Sequence, residues 1–368
     1  MLKENRTKIL IIGPFPNPIT GNSLANQILY EGLSKNNKLE LDKVNTSLPF
    51  FDEKIGKLSL NKLMYNLKFY FKLYKVFKVS VVYITPGQSF LGVVKYAPFI
   101  FISKICFKKI IIHVHGNYLN TMYSKANVIK KRISKLILSQ ANKGIVLSKS
   151  LRKNLKPFLK DKDIYVVHNF FEDELINNVE EKIKSKSLDS LKILYLSNLM
   201  EEKGVFDFLE ALQILKEKNI KFNARIAGNI DVRHKSKVYE YLDKLKQEVE
   251  YLGVVRGKEK KELLLWSNIF VFPTYYKMEG QPIALIEAMA TGNVILTTQH
   301  AGIPDVISIK NGIFIDKKSP KDIVEKLQFV HQNESFKKVM IYNYNYSTEN
   351  FSVNQYISNI QYVFDETV

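Results

Sequence analysis

The chain has one cysteine, Cys106, so no internal disulfide can form. It has no acidic residue between Glu53 and Asp161, although 22 lysines and arginines fall from Lys54 to Lys160. It also lacks an apolar run that could cross a bilayer: the most apolar stretch, Tyr96 to Phe107, is broken by Lys104 and falls short of the roughly 18 to 20 residues required. The loop Gly13 to Asn22 is not a GxGxxG fingerprint. No third ligand with metal spacing follows His113 and His115, and the first residues do not have a signal-peptide layout. These absences exclude a disulfide scaffold and a membrane span and argue against a zinc centre. They predict a home in the reducing cytoplasm, with Cys106 as a core residue.

What is present is enough apolar material for two cores. The 368 residues are 46% hydrophobic, which argues for two globular domains rather than disorder. The net charge of +19 belongs almost wholly to the first half: residues 1–180 carry +17 and the remainder +2. Such a field attracts anionic lipid, nucleic acid or phosphorylated substrates. Within that half, Leu60 to Phe77 places apolar residues at 60, 63, 64, 67, 70, 71, 74 and 77, one stripe of a helix with Lys68, Lys72 and Lys75 elsewhere. Lys125 to Lys143 repeats the style, with Lys130, Lys131, Arg132 and Lys135. Both segments could be ordinary helices on a sheet with solvated lysines outside. The missing acids favour a second reading, in which this half docks on the anionic inner leaflet of the membrane as a peripheral protein, since a solvated face normally mixes signs.

Strand-like and helix-like segments alternate, the pattern of a parallel sheet covered on both faces. Strands are expected at Lys8 to Ile12, Val81 to Ile84, Ile110 to Val114, Gly144 to Leu147 and Ile164 to Val167. After Asn169 a polar, charge-mixed stretch runs to Ser190 and is expected to link the halves. The pattern then restarts, with strands at Leu191 to Leu196, Asn223 to Ala227, Val249 to Leu252, Ile269 to Phe272, Val294 to Thr297 and Gly312 to Ile315. The fold class is therefore α/β. Residues 1–175 form a first domain and 185–349 a second; ligands in such sheets bind at the carboxyl ends of strands.

The segment Glu279 to Thr298, EGQPIALIEAMATGNVILTT, carries the chemistry. Pro282 suits a first helical position, and the good helix formers Ala284 to Ala290 follow, so Glu279 lies in the preceding loop and Glu287 about a turn and a half into the helix. A helix start offers free N–H groups to a phosphate, and neighbouring carboxylates accept hydrogen bonds from sugar hydroxyls. Spaced glutamates near a helix start also arise merely because they favour the dipole. Here the surroundings are specific: the block resembles the retaining glycosyltransferases of family 4, with Glu-x7-Glu, then Ala-Met-Ala-x-Gly, a strand, and GIPDVI from Gly302 to Ile307.

The resemblance covers nearly the whole chain and implies a GT-B fold, two facing Rossmann-like domains with a cleft between them. It implies further that Ser352 to Phe364 crosses back, so that residues 350–368 join the first domain. By the same resemblance, LSNLMEEKG (Leu196 to Gly204) puts Lys203 on the lysine that binds the donor diphosphate, and Asn198 where many members carry arginine, one cation fewer at the phosphates. Arg256 is a possible substitute, and Lys203 as a solvated loop lysine is the plain alternative. Glu287 is expected on the ribose hydroxyls and Glu279 on the donor sugar, with the backbone N–H groups of Gly280 and Gln281 reading further hydroxyls and Pro282 and Ile283 at the helix start. Gly21 and Asn22 match a glycine turn that approaches the donor phosphate. His115, followed by Gly116, matches a histidine that bonds the transferring sugar. His113 is as readily a core histidine. The base is expected to meet Ala227 to Asn229 and Val254 to Gly257.

A carboxylate nucleophile cannot come from the acid-free stretch, which leaves Glu279 as the one candidate. The family instead implies same-face substitution with a departing diphosphate, needing no metal or other cofactor. The expected activity is transfer of a sugar (hexosyl or N-acetylhexosaminyl) from a nucleotide donor, UDP by the frequency of such donors. The expected acceptor is a polyprenyl-diphosphate-linked glycan at the cytoplasmic membrane face, in assembly of capsule, O-antigen or exopolysaccharide. Two alternatives stay open: the same fold acting on a soluble acceptor or as a sugar-nucleotide epimerase, and a basic nucleic-acid-binding protein, for which charge speaks but no recognised module does.

Overall fold

The computed structural model describes residues 6–47 and 68–367. The chain divides into two compact units: residues 1–169 with 354–368, and residues 170–353.

The first unit is built on β1 (Thr7–Gly13), β2 (Leu39–Asn45), β3 (Val81–Ile84), β4 (Lys109–Val114), β5 (Lys143–Val146) and β6 (Ile164–Val166). All six run parallel in the order β2-β1-β3-β4-β5-β6. The inner strands are near-continuous apolar runs because both of their faces are covered. Around them lie α1 (Gly21–Leu33), α2 (Phe90–Val94), α3 (Ala97–Ile105), α4 (Leu119–Lys125) and α5 (Val128–Leu138). β2 is absent from the strands expected above. It is an edge strand, and Lys43 breaks the alternation of Leu39 and Leu41 with Glu40 and Asp42, as suits an exposed edge.

Three further expectations for this unit need correction. The helix drawn from Leu60 to Phe77 falls partly outside the described residues. Within them only 68–70 are helical, and a separate 3-10 turn, Leu73–Lys78, follows. The segment Lys125 to Lys143 is divided, because Asn127 accepts a hydrogen bond from Lys130 N and starts α5 afresh. Cys106 is half-buried at the end of α3 rather than in the core.

The second unit repeats the plan with β7 (Leu191–Leu196), β8 (Phe222–Ala227), β9 (Val249–Tyr251), β10 (Ile269–Phe272), β11 (Val294–Thr298) and β12 (Gly312–Ile315), parallel in the order β12-β11-β10-β7-β8-β9. Its helices are α6 (Glu180–Lys184), α7 (Val205–Glu217), α8 (Lys235–Lys244), α9 (Gly257–Trp266), α10 (Ile283–Ala290), α11 (Pro320–His331) and α12 (Phe336–Asn350). This unit begins at Phe170, earlier than residue 185, because the stretch expected to be a linker is anchored in it. Phe171, Leu175, Val179, Ile183 and Leu188 are buried. Lys186 donates from Nζ to the carbonyls of Leu264, Ser267 and Thr291 at 3.0, 2.6 and 2.7 Å, closing the ends of α9 and α10. Burial, followed by the charge of Lys192, pushes its pKa well below the usual lysine range.

The last helix, α13 (Val353–Asp365), belongs with the first unit. Its buried Tyr356, Ile360, Val363 and Phe364 make one helical stripe, and Phe364 meets Tyr83 of β3 edge-on at 5.7 Å.

Candidate functional site

In the second sheet the chain moves from β7 outward through β8 and β9, then returns to the other side of β7 with β10. The order therefore reverses between β7 and β10, and the loops leaving these two strands diverge to form a crevice. Lys203 closes the 3-10 turn Glu201–Lys203 after β7. Gly204 follows in the left-handed region at φ 78°, and any Cβ there would overlap the carbonyl of Pro273 at the end of β10. Only glycine lets the two loops approach this closely. The result is a part-buried ion pair, Lys203 Nζ to Glu279 Oε2, at 2.5 Å, in which Glu279 is buried. Thr274 Oγ1 lies 3.4 Å from the same carboxylate oxygen, and the ring of Tyr276 lies 5.0 Å from the ammonium.

His300, just beyond β11, completes this wall. Its Nε2 lies 2.8 Å from the Tyr276 carbonyl and its Nδ1 3.2 Å from Lys317 Nζ, so a neutral imidazole donates at one nitrogen and accepts at the other. Burial holds its pKa below the usual value.

Pro282 is the residue before α10 rather than its first member, and no side chain caps the helix. Gly280, Gln281, Pro282 and Ile283 are all buried on the approach to it, and Gly280 accepts a hydrogen bond from Gly302 N at 3.0 Å. Glu287 is buried five residues into the helix, counting from Ile283, and its Oε1 accepts a hydrogen bond from Lys260 Nζ at 2.7 Å. Lys260 also reaches Glu172 at 2.5 Å. Burial pushes the Glu287 carboxyl above the usual range, and Lys260 pulls it back. For Lys260 burial works the other way, yet Glu287 and Glu172 overcome it and raise its pKa.

Lys260, Glu172, Tyr276 and His300 were not among the residues singled out from the sequence. Lys260 left a trace there: it precedes Leu263 and Leu264 by three and four positions, so it sits on the buried face of α9, where a lysine needs a carboxylate. Asn198 lies beyond β7, and its carbonyl accepts from Tyr195 Oη at 3.3 Å. Arg256 is exposed at the start of α9. Of the two segments expected around the base, the first is tied to the residue just before the second, since Gly228 N donates to the Gly253 carbonyl at 2.7 Å.

In the first unit the strand order reverses between β1 and β3, and the loop before α1 leaves β1 there. Gly21 and Asn22 open α1 behind a Thr20 cap, which Ser23 reciprocates. Asn26 bridges the switch, donating from Nδ2 to Thr85 Oγ1 at 2.8 Å. His113 points into the core, 2.5 Å from Tyr83 Oη, as its plain reading requires. His115 lies against it with ring centroids 3.9 Å apart, and its Nε2 is buried without a protein partner. Burial pushes its pKa down to about 3, so the ring is neutral. Asn154 fixes the turn that follows, donating to the Gly116 carbonyl at 2.9 Å.

Among the described residues no group of three or more His, Cys, Asp or Glu is placed to hold a metal ion, and no helix is long and apolar enough to cross a membrane.

Residues 176–345, which include Lys203, Lys260, Glu279 and Glu287, match the family of glycosyl transferases group 1. The protein carries a group 1 glycosyltransferase domain. An uncharacterized glycosyltransferase of Methanocaldococcus jannaschii is 26% identical over 83% of this chain and 80% of its own length. A putative colanic acid biosynthesis glycosyltransferase of Escherichia coli is 31% identical over 37% of this chain and 35% of its own. The N,N'-diacetylbacillosaminyl-diphospho-undecaprenol alpha-1,3-N-acetylgalactosaminyltransferase of Campylobacter jejuni is 26% identical over 64% of each chain. Among solved structures, Anabaena HepE in complex with UDP and glucose matches with a TM-score of 0.71 at 13% identity, covering 98% of this chain and 100% of HepE. That likeness establishes the GT-B fold, with two Rossmann-like domains.

Proposed function

We propose that this glycosyltransferase is a retaining, family 4-type enzyme that moves a sugar from a UDP-sugar to a polyprenyl-diphosphate-linked glycan at the cytoplasmic face of the membrane, in surface polysaccharide assembly. The observation that carries the reading is the Lys203–Glu279 pair at the strand-order reversal, beside the start of α10. A cation and a helix N-terminus suit a diphosphate, and a carboxylate suits sugar hydroxyls. The UDP in HepE and the diphospho-undecaprenol in the name of the Campylobacter relative support the donor and acceptor classes. The colanic acid relative supports the setting.

In the proposed reaction the acceptor hydroxyl oxygen bonds to the anomeric carbon on the face from which the diphosphate leaves. The bond between that carbon and the β-phosphate oxygen breaks, its electron pair goes to the phosphate, and the phosphate takes the hydroxyl proton. Lys203 and the N–H groups of α10 offset the charge that develops on the leaving group. Glu279 holds the donor sugar, Glu287 the ribose, and the neutral His115 is assigned as a hydrogen-bond partner of the transferring sugar. No metal takes part in these steps.

Incubation with UDP-sugars and a short-chain polyprenyl-diphosphate glycan, followed by NMR of the product, tests the proposal. A product that keeps the donor's anomeric configuration supports it. An inverted product, or transfer only to soluble acceptors, contradicts it.

A further inference from the structure

One layer of the first unit presents to solvent the side chains that water-covered surfaces avoid. The turn Leu73–Lys78, α3 and α5 lie on one face of the first sheet, the face made by Leu10, Ile12, Val82 and Ile84, and α3 packs against both of the others. Their inner side chains, Val76, Phe99, Ile100 and Ile137, belong to the core. Their outer ones are apolar as well. Phe71, just before the turn, is 81% exposed and Ile105, at the end of α3, 72%. Helix α5 places Ile129, Ile133 and Leu136 at i, i+4 and i+7, a second apolar stripe opposite its buried Ser134, Ile137 and Leu138, with Ile129 70% exposed.

Phe107 stands out within this layer. It ends α3 in the left-handed conformation, φ 55°, donating to the Lys104 carbonyl at 3.1 Å while Lys108 N donates to the Ser103 carbonyl at 2.8 Å. This pair of bonds closes a helix whose next residue is ordinarily glycine, since a side chain there crowds the backbone. Phe107 bears that crowding with a ring that is 94% exposed and gains nothing from the fold. A strained backbone that holds out an aromatic ring points to something outside the unit.

Among the described residues the charges set about these apolar side chains are basic, with Asp42 beside Lys75 the exception. Lys72, Lys78 and Lys104 are exposed about the first group, and Lys108 reaches the Phe77 carbonyl at 3.5 Å and joins the turn to α3. Lys130, Arg132 and Lys135 flank the stripe on α5. Lys75 alone of the residues named here meets a carboxylate, Asp42 at 2.6 Å.

We propose that this layer is a membrane-docking surface, with Phe107, Ile105, Phe71 and the Ile129–Leu136 stripe entering the boundary between headgroups and acyl chains while the lysines meet anionic lipid phosphates. It deepens the membrane-face reading of the acceptor and is independent of the donor chemistry. Apolar wedges ringed by basic side chains suit an anionic bilayer. A second copy of the chain would bring like charges face to face, and a protein partner would call for carboxylates on this side as well.

The test uses the whole chain with phosphatidylcholine vesicles, with and without phosphatidylglycerol. Binding is expected only with phosphatidylglycerol and is expected to weaken with salt. Phe107→Gly suits the left-handed turn better, so it should melt no lower than the parent yet partition about tenfold or more less strongly, from the loss of one buried aromatic ring. Ile129→Ser with Leu136→Ser should lower binding further. The thermal shift given by UDP should be the same in Phe107→Gly and the parent. If UDP shifts neither but the vesicle difference remains, the docking surface stands and the donor reading fails. Equal partitioning of Phe107→Gly and the parent, no binding to phosphatidylglycerol, or a vesicle-free dimer that Phe107→Gly turns into a monomer would overturn the proposal.

Discussion

Lys203 Nζ lies 2.5 Å from Glu279 Oε2, so the residues assigned to the donor's diphosphate and to its sugar hold one another. A diphosphate arriving at Lys203 takes over part of this interaction and leaves Glu279 free to accept from sugar hydroxyls. Lys203→Ala or Glu279→Ala is expected to cut turnover roughly a hundredfold, the scale of losing one preorganised charged group. Steady-state kinetics check this, and near-normal turnover in either variant would refute the assignment. Because Glu279 is buried, Lys203→Met should also lower stability by about 3 kcal/mol, leaving a carboxylate without its cation.

Lys260 is expected to matter to nucleotide binding without touching the nucleotide. It orients Glu287 and favours its charged form against the burial that pushes its pKa up. Lys260→Met should lower stability by about 3 kcal/mol and weaken UDP binding about tenfold or more. Glu172→Gln, at the more exposed end of the triad, should have the smaller effect on both. Calorimetric titration compares the variants; equal UDP affinity in Lys260→Met and the parent would remove Lys260 from the site.

Acid should destabilise the first unit through its histidines. His115 titrates at about 3 in the fold against an ordinary 6.5, and His113 is also held well below its ordinary value. Below pH 6.5 the unfolded chain takes up protons that the folded chain refuses, so stability present at neutral pH is lost as pH falls towards 3. Melting temperatures from pH 7 to 4 should decline, and His115→Asn should decline less steeply. A parallel decline in both would contradict the neutral His115.

Chelation provides a separate check. With no metal in the proposed steps, EDTA should leave turnover within about twofold of its value without chelator, whereas loss of one charge-stabilising group of the metal kind would cost orders of magnitude. Loss of activity on chelation, restored by magnesium or manganese, would require a different account of the leaving group.

The fold was legible where one force acted alone. The buried central strand Ile269–Phe272 is an uninterrupted apolar run and Leu191–Leu196 is broken only by Lys192, and the structure has both at the expected bounds. The edge strand Leu39–Asn45 escaped because Lys43, suited to its exposed position, breaks its pattern. The anchoring of 170–190 escaped because apolar residues such as Phe171, Leu175 and Ile183 are scattered among charges, and because Lys186 finds its partners about 80 to 105 positions away. The candidate site was legible as a motif, Glu279 to Glu287. Its supporting contacts depend on strand order, which no local pattern records: Lys203 meets Glu279 across 76 positions and Lys260 meets Glu287 across 27. The outward stripe of α5 was visible as apolar periodicity, but which side faced the sheet was not.

The most direct test of the account is the thermal stabilisation of the whole chain by UDP, GDP, ADP and their common sugars, with Glu287→Ala as control. The account predicts a shift selective for UDP and UDP-sugars that the variant loses. A shift given equally by every nucleotide and kept by Glu287→Ala, or none with any of them, would contradict the assignment of the donor site.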